Sequence, residues 1–234
     1  MNAADRSAGK EIQFIVSEAA GAVSGLLLKP DGASSLLVLA HGAGAGMRHK
    51  FMEGMTRRLA ARGIAVLRYQ FPYMERRAKR PDPESVLLDT VRAAITTGRK
   101  CSGGLPLFAG GKSMGGRMAS LVAARDRPED VRGLIFFGYP LHRAGRPSGD
   151  RSRHLSEIQT PMLFLQGSRD ALADLKLLQP VCAGLGKRAE LFVLEGGDHS
   201  FRMPKSAGRS DEEALDTAAA KTASWIAAVL ARSR

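Results

Sequence analysis

Gly110-Gly111-Lys112-Ser113-Met114-Gly115-Gly116 stands between an apolar run of strand length at residues 105–109 and a helical pattern at residues 113–125. Residues 111–115 therefore read G-x-S-x-G, the pattern of a serine on a tight strand-to-helix turn. The flanking glycines are required there because a Cβ would collide with the neighbouring strand and helix. Such a turn leaves the Ser113 hydroxyl exposed at the carboxyl end of the strand. The five-residue pattern alone is a weak signal in a chain with 26 glycines, so its meaning depends on what surrounds it.

Working outward, apolar runs of strand length recur at residues 12–16, 23–28, 36–40, 64–67, 105–109, 133–137, 162–165 and 191–194. Helical periodicity occupies 49–61, 83–97, 113–125, 171–185 and 211–231. From the third run onward strands and helices alternate, the order that produces a parallel sheet covered by helices on both faces. The first two runs lack an intervening helix and are expected to form an antiparallel edge. Residues 141–161 are short and polar, so any lid is a loop and no large cap domain is expected. The chain reads as one α/β domain over residues 1–234, with 1–10 as a flexible tail.

Composition bounds the class. A chain of 234 residues, 44% of them hydrophobic, suffices for one large core. Residues 1–10 are polar and charged, and no window approaches eighteen apolar residues, so neither a signal peptide nor membrane insertion is expected. Cys101 and Cys182 lie far apart without redox or zinc spacing, which makes a reduced cytoplasmic protein the default. The net charge of +12 would attract anions at long range. Basic residues concentrate in the loops at 68–80 and 142–154.

Two nucleotide-binding readings compete, of which the first fails and the second fits poorly. A phosphate-binding loop ending at Gly111-Lys112-Ser113 would need glycine where Pro106 stands, and its cradle would fall on the apolar end of a strand. A dinucleotide loop beginning at Gly42 and Gly44 would need its third glycine at Met47, and it leaves the Ser113 turn unexplained.

An acyl-transfer reading uses both glycine-rich loops. The oxyanion needs one backbone amide from the residue after the nucleophile and one from a loop after an earlier strand; Met114 and Ala43 fit. His41 is expected to support the Ala43 loop. A serine hydroxyl also needs an imidazole base and a carboxylate to orient it. Asp170, just past the run at 162–165, is the acid, with Asp174 as the alternative expected to sit on the following helix. His199, in the loop after the last strand, is the base; His142 and His154 fall between the wrong strands, and Asp198 fixes the turn.

With these residues in place the chain resembles an α/β-hydrolase. More narrowly, it is similar to the dienelactone-hydrolase-related family whose domain is shared with a testis-expressed protein and a subunit of a histone acetyltransferase complex. The matching segments are 40–45, 69–74, 110–117, 138–142, 165–170 and 197–201. The resemblance implies an α/β-hydrolase fold, a mostly parallel sheet of about eight strands with helices on both faces. It also implies a serine hydrolase of uncertain substrate, some relatives serving within larger assemblies.

The expected activity is hydrolysis of a small ester, lactone or thioester through an acyl-enzyme, with Ser113 as nucleophile, His199 as base and Asp170 as its orienter. It needs no cofactor or metal. The basic loops suggest a substrate bearing a carboxylate or phosphate, contacted by Tyr73, Arg76, His142 or Arg143. The competing reading is a non-catalytic basic module that binds an acidic partner or nucleic acid. No nucleic-acid-binding signature supports it.

Overall fold

The computed structural model describes residues 9–232. Residues 1–8 of the expected tail lie outside them, and Lys10 already opens the first strand. The strands are β1 (Lys10–Ser17), β2 (Gly21–Leu28), β3 (Ser35–Ala40), β4 (Ile64–Tyr69), β5 (Leu107–Lys112), β6 (Val131–Phe137), β7 (Met162–Gly167) and β8 (Ala189–Leu194). They form one eight-stranded sheet in the order β1-β2-β4-β3-β5-β6-β7-β8. β2 is antiparallel to both β1 and β4, and every other pairing is parallel.

The helices are α1 (Lys50–Ala60), α2 (Pro72–Glu75), α3 (Glu84–Ser102), α4 (Met114–Asp126), α5 (Leu175–Gly184) and α6 (Asp211–Arg232). Side chains alternate across a strand, and the inner strands are apolar on both faces because both are covered. On β3, Leu36 and Val38 join one cluster with Val91 of α3, Met118 of α4 and Leu178 of α5. Leu37 and Leu39 join the opposite cluster with Met55 of α1 and Ile226 of α6. Central strands therefore read as continuous hydrophobic runs, as buried parallel sheets do. Among the described residues no helix is long and apolar enough to cross a membrane.

Several elements differ from the sequence reading: α3 runs to Ser102 instead of residue 97, the short helix α2 was not expected, and the following differences have a local reason. β5 runs from Leu107 to Lys112 instead of 105–109, because Gly110 and Gly111 pair with Ile135 and Phe136 of β6. Pro106 stays outside the strand, its carbonyl accepting the amide of Leu36. α5 begins at Leu175 instead of residue 171, since Asp174 is its N-cap and accepts the amide of Lys176. The polar segment at 141–161 includes a 3-10 turn, Asp150–Glu157, tied to α4 by His154 Nε2 and Ser120 Oγ at 2.8 Å.

Candidate active site

Ser113 sits between β5 and α4 with φ 51° and ψ −117°. A non-glycine residue at positive φ is strained by about 1–3 kcal/mol and persists only where its surroundings impose it. Here the Ser113 amide donates to Phe137 O (3.1 Å) and its carbonyl accepts from Arg117 (3.1 Å). The glycines are steric necessities. A Cβ on Gly111 would stand 2.6 Å from Ala40 O, and one on Gly115 would stand 2.6 Å from His41 O.

Asp170 and His199 reach this turn from the ends of β7 and β8. His199 Nε2 is 2.8 Å from Ser113 Oγ, and His199 Nδ1 is 2.7 Å from Asp170 Oδ2. A carboxylate can only accept, so Nδ1 carries the proton and Nε2 accepts from the serine hydroxyl. Asp170 is fully enclosed, whereas a quarter of the His199 side chain is exposed. The other Asp170 oxygen accepts the Leu172 amide at 2.8 Å, and Gln166 Nε2 donates to Oδ2. Asp198 accepts the amides of Ser200 and Arg202 and so shapes the turn that carries His199.

The loop after β3 closes the other side. His41 is buried, with Nδ1 bonded to Gly42 O and Nε2 accepting the Phe71 amide; burial lowers its pKa to about 4, so the ring stays neutral. Gly44 N donates to Tyr73 Oη at 3.3 Å. These bonds pin the loop so that Ala43 borders the same cleft as Ser113 and His199. Met114 is the first residue of α4, where an amide has no acceptor within its own helix. The cleft encloses about 390 Å³ and is bordered also by His49, Phe51, Met52, Lys112, Leu172 and Ser200.

A family model described as alpha/beta hydrolase domain matches residues 33–227. The chain belongs to that family. Among solved structures, the alpha/beta hydrolase domain is similar to a dienelactone hydrolase from Anabaena variabilis, at 21% identity and a TM-score of 0.71, covering 92% of this chain and 96% of that one. Est1E from Butyrivibrio proteoclasticus aligns at 15% identity with a TM-score of 0.71, over 93% and 98% of the two chains. A lid-less serine hydrolase from Xanthomonas campestris aligns at 21% identity with a TM-score of 0.65, over 91% and 95%. At these identities the likeness is one of fold.

The four residues expected to contact substrate do not border the cleft of this hydrolase domain. Tyr73 is fully buried, and its hydroxyl supports the Ala43 loop from behind. His142 is buried, with Nδ1 on Arg143 O (2.9 Å) and Nε2 accepting the Asp174 amide (2.9 Å); it braces the chain after Asp170. Arg76 pairs with Asp82, whose other oxygen accepts the Tyr73 amide. Arg143 is exposed and bridges to Arg146. Counting basic residues along a loop does not reveal which side chains turn inward, and here two do so to serve the backbone.

Gln166 and Lys112 were not foreseen at the site. Gln166 is fully buried at the end of an apolar strand, with its carbonyl oxygen taken by the Tyr139 amide. A polar side chain ending such a run, four residues before Asp170, was the available signal. Lys112 Nζ donates to His199 O at 2.6 Å. Among the described residues no group of three or more His, Cys, Asp or Glu side chains is placed to hold a metal ion.

Proposed function

We infer that this chain is a serine hydrolase that cleaves a small ester, lactone or thioester through an acyl-enzyme, within a single alpha/beta hydrolase domain. The observation that carries this reading is the unbroken relay from Ser113 Oγ through His199 to Asp170, at 2.8 and 2.7 Å. In the first half-reaction Ser113 Oγ bonds to the substrate carbonyl carbon and its proton passes to His199 Nε2. Asp170 holds the Nδ1 proton and stabilises the imidazolium. The amides of Ala43 and Met114 receive the oxyanion. As the carbonyl re-forms, the leaving group departs with the proton from His199. Water then adds to the acyl carbon, giving its proton to His199, and the acid leaves as Ser113 regains its hydrogen.

A cleft of about 390 Å³ suits a short acyl group. Because Arg76 and Arg143 stand outside it, the anionic substrate suggested by the basic loops does not form part of this proposal. The narrower likeness to the dienelactone-hydrolase-related family accords with it, as does a cytoplasmic location for a chain with Cys101 and Cys182 both free.

The test is the intact mass of the protein after exposure to a small fluorophosphonate, beside Ser113→Ala, with turnover of a short-chain nitrophenyl ester. One adduct on the wild type, absent from Ser113→Ala together with turnover, supports the proposal. No adduct on folded wild type overturns it in favour of the basic interaction module.

A further inference from the structure

Lys112 is the one buried lysine among the described residues, with 7% of its surface exposed, and the chemistry above does not use it. It immediately precedes Ser113 at the end of β5. Its ammonium lies between three elements. It donates to the His199 carbonyl at 2.6 Å and faces the Phe51 ring of α1 at 5.6 Å. It also rests against Gly138 after β6, where a Cβ would stand 2.9 Å from Nζ.

We propose that Lys112 is a positioning residue of this active site, its ammonium tying the backbone of His199 to the strand that carries Ser113. The proposal rests on the serine-hydrolase reading and adds to it the element that sets the distance between base and nucleophile.

The need for such a tie follows from the topology. β5 and β8 are separated in the sheet by β6 and β7, so no strand pairing joins the His199 loop directly to the strand of Ser113. The loop's own bonds, Asp198 N to Arg202 O and Phe201 N to Asp198 O, fix its shape, and Arg169 N to Gly197 O ties it to the chain after β7, but none of these reaches β5. The Lys112 bond spans that gap directly. A charge-assisted bond of this kind is roughly twice as strong as a neutral one.

Charge is part of the device. Burial lowers the Lys112 pKa to about 8, against the pull of Asp170 and Asp198, which favour the ammonium. His49, at the start of α1, is held below the ordinary histidine range mainly by burial, with the charges of Lys50, Arg202 and lastly Lys112 adding to it. As pH rises through about 8 the ammonium becomes an amine and its bond to His199 O weakens.

The experiment compares wild type, Lys112→Met and Lys112→Arg on a short-chain nitrophenyl ester across pH 6 to 10, with the fluorophosphonate labelling rate in parallel. Lys112→Met is expected to lower kcat by about 10–100-fold with KM within about twofold, since a misplaced base costs the reaction step more than binding. Labelling of Ser113 should slow by the same factor. Wild-type kcat should step down as pH passes about 8. The step should vanish in Lys112→Met, and also in Lys112→Arg, which keeps its charge and most of the activity. Wild-type kcat in Lys112→Met, or the same alkaline step in that variant, overturns the proposal. Should Lys112→Met fail to fold by circular dichroism, Lys112→Gln carries the same comparison, with an intermediate kcat and no step expected. Absence of any adduct on the wild type would instead sink the hydrolase reading itself.

Discussion

Gln166 donates its side-chain amide to Oδ2 of Asp170, the same oxygen that faces His199 Nδ1. The buried glutamine therefore fixes which way the carboxylate presents itself, and its own carbonyl oxygen is anchored by the Tyr139 amide at 2.9 Å. Gln166→Leu removes both bonds and leaves the Tyr139 amide unsatisfied in the interior. The expected result is a loss of about 1–3 kcal/mol in stability and a fall of about tenfold in kcat. Urea unfolding and ester turnover check the two effects separately; unchanged turnover would show that Asp170 needs no such support.

The two carboxylates near the end of β7 should separate cleanly. Asp170→Asn leaves the geometry in place but removes the acceptor for His199 Nδ1–H, and kcat should drop by about 10³–10⁴-fold. Asp174 caps α5 through the Lys176 amide. Asp174→Ala should cost about 1 kcal/mol of stability and leave kcat nearly intact. Comparable losses of turnover in both variants would contradict the assignment of Asp170.

Glycine positions in the chain should divide by what surrounds them. Gly115→Ala drives a Cβ to 2.6 Å from backbone oxygen of His41, which cannot swing aside, and the predicted loss is about 1–3 kcal/mol with disruption of the Ser113 turn. Gly184, at the end of α5, has nothing within 4 Å of a built Cβ. Gly184→Ala is expected to stabilise by about 0.5–1 kcal/mol through its better helix propensity. Denaturation midpoints of the two variants, moving in opposite directions, are the measurement.

Acid sensitivity follows from two histidines. Burial holds the pKa of both His41 and His154 at about 4, below the ordinary 6.5. Between these values the unfolded chain binds protons that the folded chain refuses, so stability should fall as pH drops from about 6.5 to 4. Below about 4 these two groups no longer contribute to the slope. Replacing the partner of Ser120 by His154→Gln keeps a polar group beside α4 but removes one titration. Urea midpoints from pH 7 to 4 should decline less steeply in that variant, and an identical slope would exclude His154 as a source.

The layered sheet was legible because its strands are continuous apolar runs while its helices carry a 3.6-residue period, so the two cannot be confused. The order of Ser113, Asp170 and His199 could be read because each follows a run of strand. Boundaries were less legible where local composition and pairing disagree: Gly110 and Gly111 read as a turn, yet only glycine fits in the strand there, Gly110 against β6 and Gly111 against β3 and α4. Tyr73 and His142 were misplaced for a related reason. Their outward signal was the charge of Arg76 and Arg143 beside them, and nothing local records that an aromatic ring turns inward to hold a backbone amide. Lys112 was hidden by its motif position, which specifies a backbone conformation and leaves the side chain unstated.

The sheet order has a consequence for how activity is acquired. The proposed reacting groups come from the ends of β3, β5, β7 and β8, and β6 intervenes between β5 and β7. Consecutive, paired β7 and β8 bring Asp170 and His199 together, but Ser113 and Ala43 follow β5 and β3, so a partly assembled sheet holds only part of the centre. Such non-local architecture folds slowly compared with local topologies. Recovery of ester turnover after dilution from denaturant would then trail the return of helical signal, and would time the docking of the last strand.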